Sequence, residues 1–217
     1  MNATRRRIVA AAVALSLLAA AGAFLAYRHR AGSGPDIVLP KGHALQVAQL
    51  ETLQRVPAFS LERAGPPLTP DDLHGRWSFV FFGYTNCPNA CPETLGILSH
   101  VQEVLRARGM APPRIVFLSL DPERDRPQVL HDYMAAFDPD AIGATGSQAA
   151  LRGLLGFFGI VYERRDRPDG KSYTLDHTSS FFLLTPENRW LATFAPAQDP
   201  EAILQDTQTL LEARYKP

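Results

Sequence analysis

Hydrophobic positions along the chain fall into three patterns, and each predicts a different kind of element. The first is an apolar run from Ile8 to Ala26, nineteen residues interrupted only by Ser16 and Gly22. At about 1.5 Å rise per residue such a helix reaches roughly 28 Å, close to a bilayer core of about 30 Å. The second is a set of short, nearly continuous runs: Trp77–Tyr84, Ile115–Leu120 and Phe181–Leu184 read as buried strands. The third is a stripe at helical spacing, in which Leu95, Leu98, Val101 and Leu105 predict a helix from about Pro92 to Arg108. Gly109 and Pro112-Pro113 stop it.

Between these landmarks the pattern is weaker. Residues 31–58, with Gly32-Ser33-Gly34-Pro35 and no sustained periodicity, read as a tether containing a short amphipathic piece between Ala44 and Leu53. Ala58–Glu62 is a first short strand, followed by the turn-rich Gly65-Pro66-Pro67. The charged loop Asp121–Arg126 leads to Pro127, which suits the first turn of a helix ending near Phe137. Ala141–Thr145 reads as a strand, Ser147–Phe158 as a helix capped by Ser147, and Val161–Arg164 as a strand before a polar excursion. After Phe181–Leu184 come a turn at 186–189, an edge strand at Trp190–Phe194 and a closing helix over Pro200–Tyr215. The division is therefore an anchor or signal over 1–30, a tether over 31–56 and one α/β domain over 57–217. Strand–helix–strand–helix followed by a hairpin and a last helix predicts a three-layer α/β sandwich. In such a sheet chemistry collects at the carboxyl ends of strands, where Cys87 and Cys91 follow one strand and Asp121 another.

Charge sharpens the reading of the N-terminus. Of 22 basic residues, five arginines lie in residues 1–35 with no acid among them, so residues 36–217 carry 17 basic against 22 acidic side chains. Arg5-Arg6-Arg7 marks the end expected to stay in the cytoplasm, although Arg28 and Arg30 flank the other side. The domain is then expected on the non-cytoplasmic side of a membrane, the periplasm if the cell is bacterial. A cleaved secretory signal has a shorter apolar region of about 7–15 residues. Ala19–Ala23 offers small residues for cleavage, but an uncleaved anchor is the favoured reading. Thr4–Val9 matches a twin-arginine signal only loosely, and no cysteine follows the run as a lipoprotein anchor requires. The overall balance of 22 basic and 22 acidic residues gives no footprint for nucleic acid. At 46% hydrophobic and 20% charged the chain is not wholly disordered.

The chain has two cysteines, too few for a disulfide-rich scaffold or a four-cysteine zinc site. Both lie in Gly83-Tyr-Thr-Asn-Cys87-Pro-Asn-Ala-Cys91-Pro92, at a strand-to-helix junction. A thiol at a helix N-terminus is expected to have a lowered pKa, because free amide protons and the helix dipole favour the thiolate. Spacing i, i+4 puts the pair on one helical face, able to hold a metal or to form a disulfide. Two thiolates are soft ligands that select Cu(I) or zinc over magnesium or calcium. An inert disulfide closing so short a loop would contribute only about 2 kcal/mol, and the cysteines alone do not separate metal binding from thiol exchange.

Six histidines compete to add a third ligand. His29 and His43 lie in the membrane exit and tether, and His74 precedes the first strong strand. His100 is nine residues after Cys91, on the opposite side of the same helix, and His131 lies inside the next helix. His177, in Tyr173-Thr-Leu-Asp176-His177-Thr-Ser-Ser, enters a buried strand from a segment able to fold over the cysteines. Asp176 beside it is a candidate to orient the imidazole. In Asp121-Pro-Glu-Arg-Asp125-Arg-Pro127, Asp125 reads as an N-cap, while Asp121 stands between a polar loop residue and an accessory site residue.

These three motifs, in this order, resemble the Sco/SenC family across about residues 57–215. That family comprises membrane-tethered proteins of thioredoxin-like fold that deliver copper to the dinuclear copper centre of cytochrome c oxidase and are candidates for reducing its cysteines. The resemblance implies that Cys87, Cys91 and His177 are ligands for Cu(I) or Cu(II), with Asp121 an accessory residue. It implies the copper-accepting oxidase subunit as partner, with other copper chaperones or thiol reductases alongside. Arg126 and Thr178 stand where threonine and serine are common in the family, and neither is a ligand position.

Two functions follow from different classes. One is a copper-binding assembly factor, which needs His177. The other is a membrane-tethered thiol–disulfide oxidoreductase whose redox-active pair is Cys87 and Cys91, which needs only the thiols and a docking surface. A peroxiredoxin-type peroxidase is disfavoured, since Thr85 is two rather than three positions before Cys87. A methionine-rich copper carrier is disfavoured too, because Met110 and Met134 are isolated.

Overall fold

An apolar run that is buried on both faces must lie at the centre of a sheet, and residues 78–83 do. The computed structural model describes residues 37–168, 172–196 and 199–215. In chain order the elements are β1 (Ile37–Val38), β2 (Ala48–Leu50), a 3-10 turn (Pro70–Leu73), β3 (Ser78–Gly83), α1 (Ala90–Ala107), β4 (Arg114–Ser119), α2 (Pro127–Ala135) and β5 (Ile142–Ala144). They continue with α3 (Gln148–Phe158), β6 (Tyr162–Asp166), β7 (Tyr173–His177), β8 (Phe181–Leu184), β9 (Trp190–Phe194), α4 (Pro200–Glu212) and β10 (Arg214–Tyr215).

The main sheet has the order β2-β9-β8-β3-β4-β5. β3, β4 and β5 run parallel, while β8, β9 and β2 are added antiparallel on the other side of β3. Alternation along β3 divides the interior into two cores. Phe79 and Phe81 point to the face covered by α1, α2 and α4, where they meet Leu95, Leu98, Met134 and Ile203. Val80 and Phe82 point to the face covered by α3 and the 56–73 segment, against Leu68, Leu154 and Phe158. Each fully buried side chain of this size stabilises the fold by about 1.5–3 kcal/mol. This is the three-layer α/β sandwich that the element order predicts.

Helix ends follow local chemistry. Ser147 Oγ accepts the Ala150 amide at 3.2 Å, the cap expected of it. Gly159, at φ 65°, closes α3 in the left-handed conformation that costs glycine little. The last helix stops at Glu212, short of Tyr215, because Ala213 is extended and the chain returns as β10 to pair with β1.

The tether segment differs most from expectation. Part of it packs on the domain: β2 joins the sheet, and Leu53 and Val56 are buried. Asp206, buried in α4, causes this by accepting the amides of Gln46, Val47 and Ala48 at 2.7–3.0 Å. β9 is consequently an interior strand, not an edge. Ala58–Glu62 forms only isolated bridges, Leu61 to Leu68 and Glu62 to Thr145. The polar excursion before β8 is itself a strand, β7, paired antiparallel with β6 as a separate ribbon. Among the described residues no helix is long and apolar enough to cross a membrane. The anchor expected over 1–30, with His29, lies outside the described residues.

Candidate metal centre

β3 ends at Gly83, and the chain turns through Tyr84–Asn89 into α1, carrying Cys87 on the turn and Cys91 in the first helical turn. Cys87 Sγ accepts the Cys91 amide at 3.4 Å, so sulfur takes the place of a side-chain oxygen on an orphan amide of the helix start. Cys87 is half-buried, Cys91 is buried, and both are free thiols. The lowered pKa expected of a thiol at a helix start does not hold for Cys91. Burial comes first among the causes that push its pKa up, with the nearby Cys87 and Asp125 charges adding to it.

β7 brings His177 over this pair from a point 86 residues further along the chain. Its Nε2 lies 3.8 Å from Cys91 Sγ, and its Nδ1 lies 2.8 Å from the Thr178 carbonyl oxygen. A carbonyl oxygen only accepts, so Nδ1 carries the proton and the Nε2 lone pair faces the thiol. Burial lowers the His177 pKa, outweighing the Thr178 bond and the Asp176 charge, and keeps the imidazole neutral. The rings of Phe81 and Tyr84 flank it at 6.5 and 6.0 Å between centroids. Asp176 does not orient the imidazole by hydrogen bond. Neighbours on a strand face opposite sides, and Asp176 is exposed, paired with Arg165 at 3.1 Å. Among the described residues no group of three or more His, Cys, Asp or Glu side chains stands as a ready-made metal cage. The structure supplies the Cys91–His177 pair, with Cys87 one turn away.

The other sequence candidates separate. His43, His74, His100 and His131 are exposed and apart from the thiols. Asp121 is buried, and its carboxylate accepts Tyr173 Oη at 2.7 Å and Arg124 Nε at 2.5 Å. Asp125 is not an N-cap: α2 starts after Arg126 with no side-chain cap. Asp125 is fully buried and instead accepts the Thr85 amide at 2.8 Å, Thr85 Oγ1 at 2.5 Å and Ser119 Oγ at 2.6 Å. It bolts the cysteine loop to the end of β4. Pro127 does open α2, but the cap is Arg126, and the partner of Asp125 is Thr85, 40 residues upstream, where no local pattern shows it. Gly83, Arg124, Tyr84 and Tyr173 also belong to this neighbourhood without a role assigned from sequence. Gly83 and Tyr84 close a buried strand, and Arg124 and Tyr173 stand within the Asp121 and His177 motifs, which are the signals the sequence holds for them.

Comparison with known proteins identifies a family and a fold. The SCO1/SenC family model matches residues 47–212. A SCO2-like protein of Rickettsia felis is 32% identical over 148 residues, which cover 67% of this chain and 71% of that protein. The mitochondrial SCO1 homolog 1 of Arabidopsis thaliana is 31% identical over 146 residues, 67% of this chain but only 43% of its own length. Among solved structures, Arabidopsis thaliana ScoI with copper bound superposes with a TM-score of 0.69 at 28% identity. That match covers 73% of this chain and 98% of the other. The sandwich is thus the thioredoxin-like α/β fold of the Sco structures.

Proposed function

The chain belongs to the SCO1/SenC family, and from that membership we propose a copper-binding assembly factor that carries copper to the dinuclear copper site of cytochrome c oxidase. Copper is cargo here, held by the thiolates of Cys87 and Cys91 and by His177 Nε2. A relative whose solved structure is described as having copper bound supports the choice of metal.

One observation carries the reading: the 3.8 Å between Cys91 Sγ and a His177 Nε2 whose lone pair is free. Metal–thiolate and metal–imidazole bonds of about 2.3 and 2.0 Å, the lengths known for zinc, span that gap at an angle near 120°. That angle suits a three-coordinate centre, leaving the third position to Cys87 after rotation of its side chain. Two soft thiolates and one neutral imidazole favour copper over hard cations. The partner is the copper-accepting oxidase subunit, approached from the membrane surface by a domain tethered through residues 1–30 on the non-cytoplasmic side.

Thiol–disulfide exchange is the second reading, favoured by the unequal exposure of the cysteines. Half-exposed Cys87 attacks a partner disulfide as its thiolate and expels one partner thiol. Buried Cys91 then displaces the second, leaving a Cys87–Cys91 disulfide and a partner dithiol. Copper loading of the reduced and the oxidised full chain tests the first reading. One copper per reduced chain and little per oxidised chain is expected, because the disulfide removes both thiolates. Equal loading of the two forms excludes a Cys87/Cys91 site.

A further inference from the structure

His177 rides on a ribbon that the main sheet does not hold. Among the described residues β6 and β7 pair only with each other, and residues Glu163–Asp166 of β6 are exposed. An isolated two-stranded ribbon is marginal in water. Its position over the cysteines therefore needs contacts from elsewhere: Leu175 is buried in the core with Val80 and Phe82, and the loop after β4 grips the start of β7.

Tyr173, the first residue of β7, lies on the same strand four residues before His177. Its Oη donates to Asp121 at 2.7 Å, and its carbonyl oxygen accepts Arg124 Nη1 at 3.1 Å. The Arg124 guanidinium lies 3.6 Å from the centroid of the Tyr173 ring, and that of Arg164, from β6, lies 3.7 Å from it. Arg124 is anchored in turn on Asp121, and Arg164 reaches Glu123 at 3.5 Å. Burial, first, and then the bond to Asp121 push the Tyr173 pKa up to about 12, so its hydroxyl remains a donor at neutral pH. Asp121, with 2% of its side chain exposed, is the fixed point of the cluster.

The geometry points to Asp121, Arg124 and Tyr173 as positioning residues of the copper site, clamping the β6–β7 ribbon so that His177 is held over the thiols before metal arrives. This deepens the copper reading and rests on it. If the ribbon is in place only a fraction of the time, the apparent dissociation constant rises by the inverse of that fraction. The clamp removes that loss without touching the metal.

The test uses the full chain in detergent, with Tyr173→Phe, which keeps the ring and deletes the hydroxyl, and Asp121→Asn, which keeps the volume. Cu(I) affinity by chelator competition and the midpoint potential of the thiol pair are measured in the parent and in His177→Ala. Each variant is expected to lose about tenfold or more in copper affinity, as groups that orient ligating histidines typically do. The potential stays unchanged, and neither variant causes further loss once His177 is alanine. Parental affinity in both variants overturns the clamp, as does an equal loss in the His177→Ala background, which would mean a general effect on the fold. If His177→Ala itself binds copper like the parent, the site reading falls and the clamp with it. That failure shows in the parent comparison alone, so the two are distinguishable.

Discussion

Gly83 faces the Cys91 thiol with no room for a side chain: a Cβ at Gly83 would lie 2.7 Å from Cys91 Sγ and 2.8 Å from Phe117 Cε2. The strand-to-helix turn can bring its buried sulfur this close to β3 only because position 83 has no methyl group. Gly83→Ala is therefore expected to overpack the site, destabilising the reduced protein by about 1–3 kcal/mol and weakening copper binding as Cys91 shifts. Urea unfolding and chelator competition measure the two effects. Parental stability together with parental affinity would show that the site yields without cost.

Asp125 is the second structural determinant. Its buried carboxylate takes three hydrogen bonds, two from Thr85 and one from Ser119. Asp125→Asn exchanges one acceptor oxygen for an NH2; with the amide oxygen kept on the Thr85 amide and Ser119 Oγ, Thr85 Oγ1 must turn from donor to acceptor, and weakening these bonds costs about 1–3 kcal/mol. Thr85→Ala is expected to cost less after Asp125→Asn than before, since the two residues share bonds. Full additivity in urea denaturation would place their effects in separate parts of the fold.

How far the sequence disclosed this arrangement depended on the range of the interactions. The buried runs of β3, β4 and β8 announced themselves, because a strand covered on both faces must be apolar throughout. The three residues of β2 did not. They lie in the amphipathic piece between Ala44 and Leu53, but their pairing is imposed by Asp206, about 160 residues away. β7 was illegible for another reason: Tyr-Thr-Leu-Asp-His is half-exposed on a free ribbon, so its composition reads as loop. Cys87, Cys91 and His177 stood out by residue type, whereas the carboxylates were visible without their partners. Asp121 and Asp125 look alike in one loop, yet one holds the ribbon and the other the cysteine turn.

His177 and Cys91, whose pKa values burial moves in opposite directions, predict a bounded pH range for the reduced, copper-free protein. Burial lowers His177 below its ordinary 6.5, so the unfolded chain binds a proton that the folded one refuses. Its contribution to stability is complete above about pH 6.5 and is lost as the pH falls through the lowered value. Burial raises the Cys91 thiol, so its contribution is complete below the ordinary thiol pKa of about 8.5 and is lost as the pH rises towards the raised value. Unfolding midpoints should decline on both sides of this window. His177→Ala should reduce the acid decline and Cys91→Ala the alkaline one. Declines unchanged in both variants would assign them to other groups.

The decisive experiment on function is His177→Ala, because copper binding and thiol exchange make different demands on that residue. Copper needs a ligand set. Two thiolates hold Cu(I) by themselves, but the imidazole completes a three-coordinate site and matters more for Cu(II), which favours nitrogen alongside sulfur. Exchange needs an accessible thiolate, and half-exposed Cys87 sits at the helix start without help from the histidine. The substitution removes the Nε2 atom 3.8 Å from Cys91 Sγ and leaves the Cys87–Cys91 turn bonded as before. Copper affinity should fall by about tenfold or more, at least the effect of losing a group that merely orients a ligand, and further for Cu(II) than for Cu(I). The midpoint potential and the rate of exchange with a small disulfide should stay close to parental. Unchanged affinity for both copper states would take His177 out of the site and favour the oxidoreductase reading. A change in potential alone would make the histidine a modulator of the thiols, acting through its contact with Cys91 and not through metal.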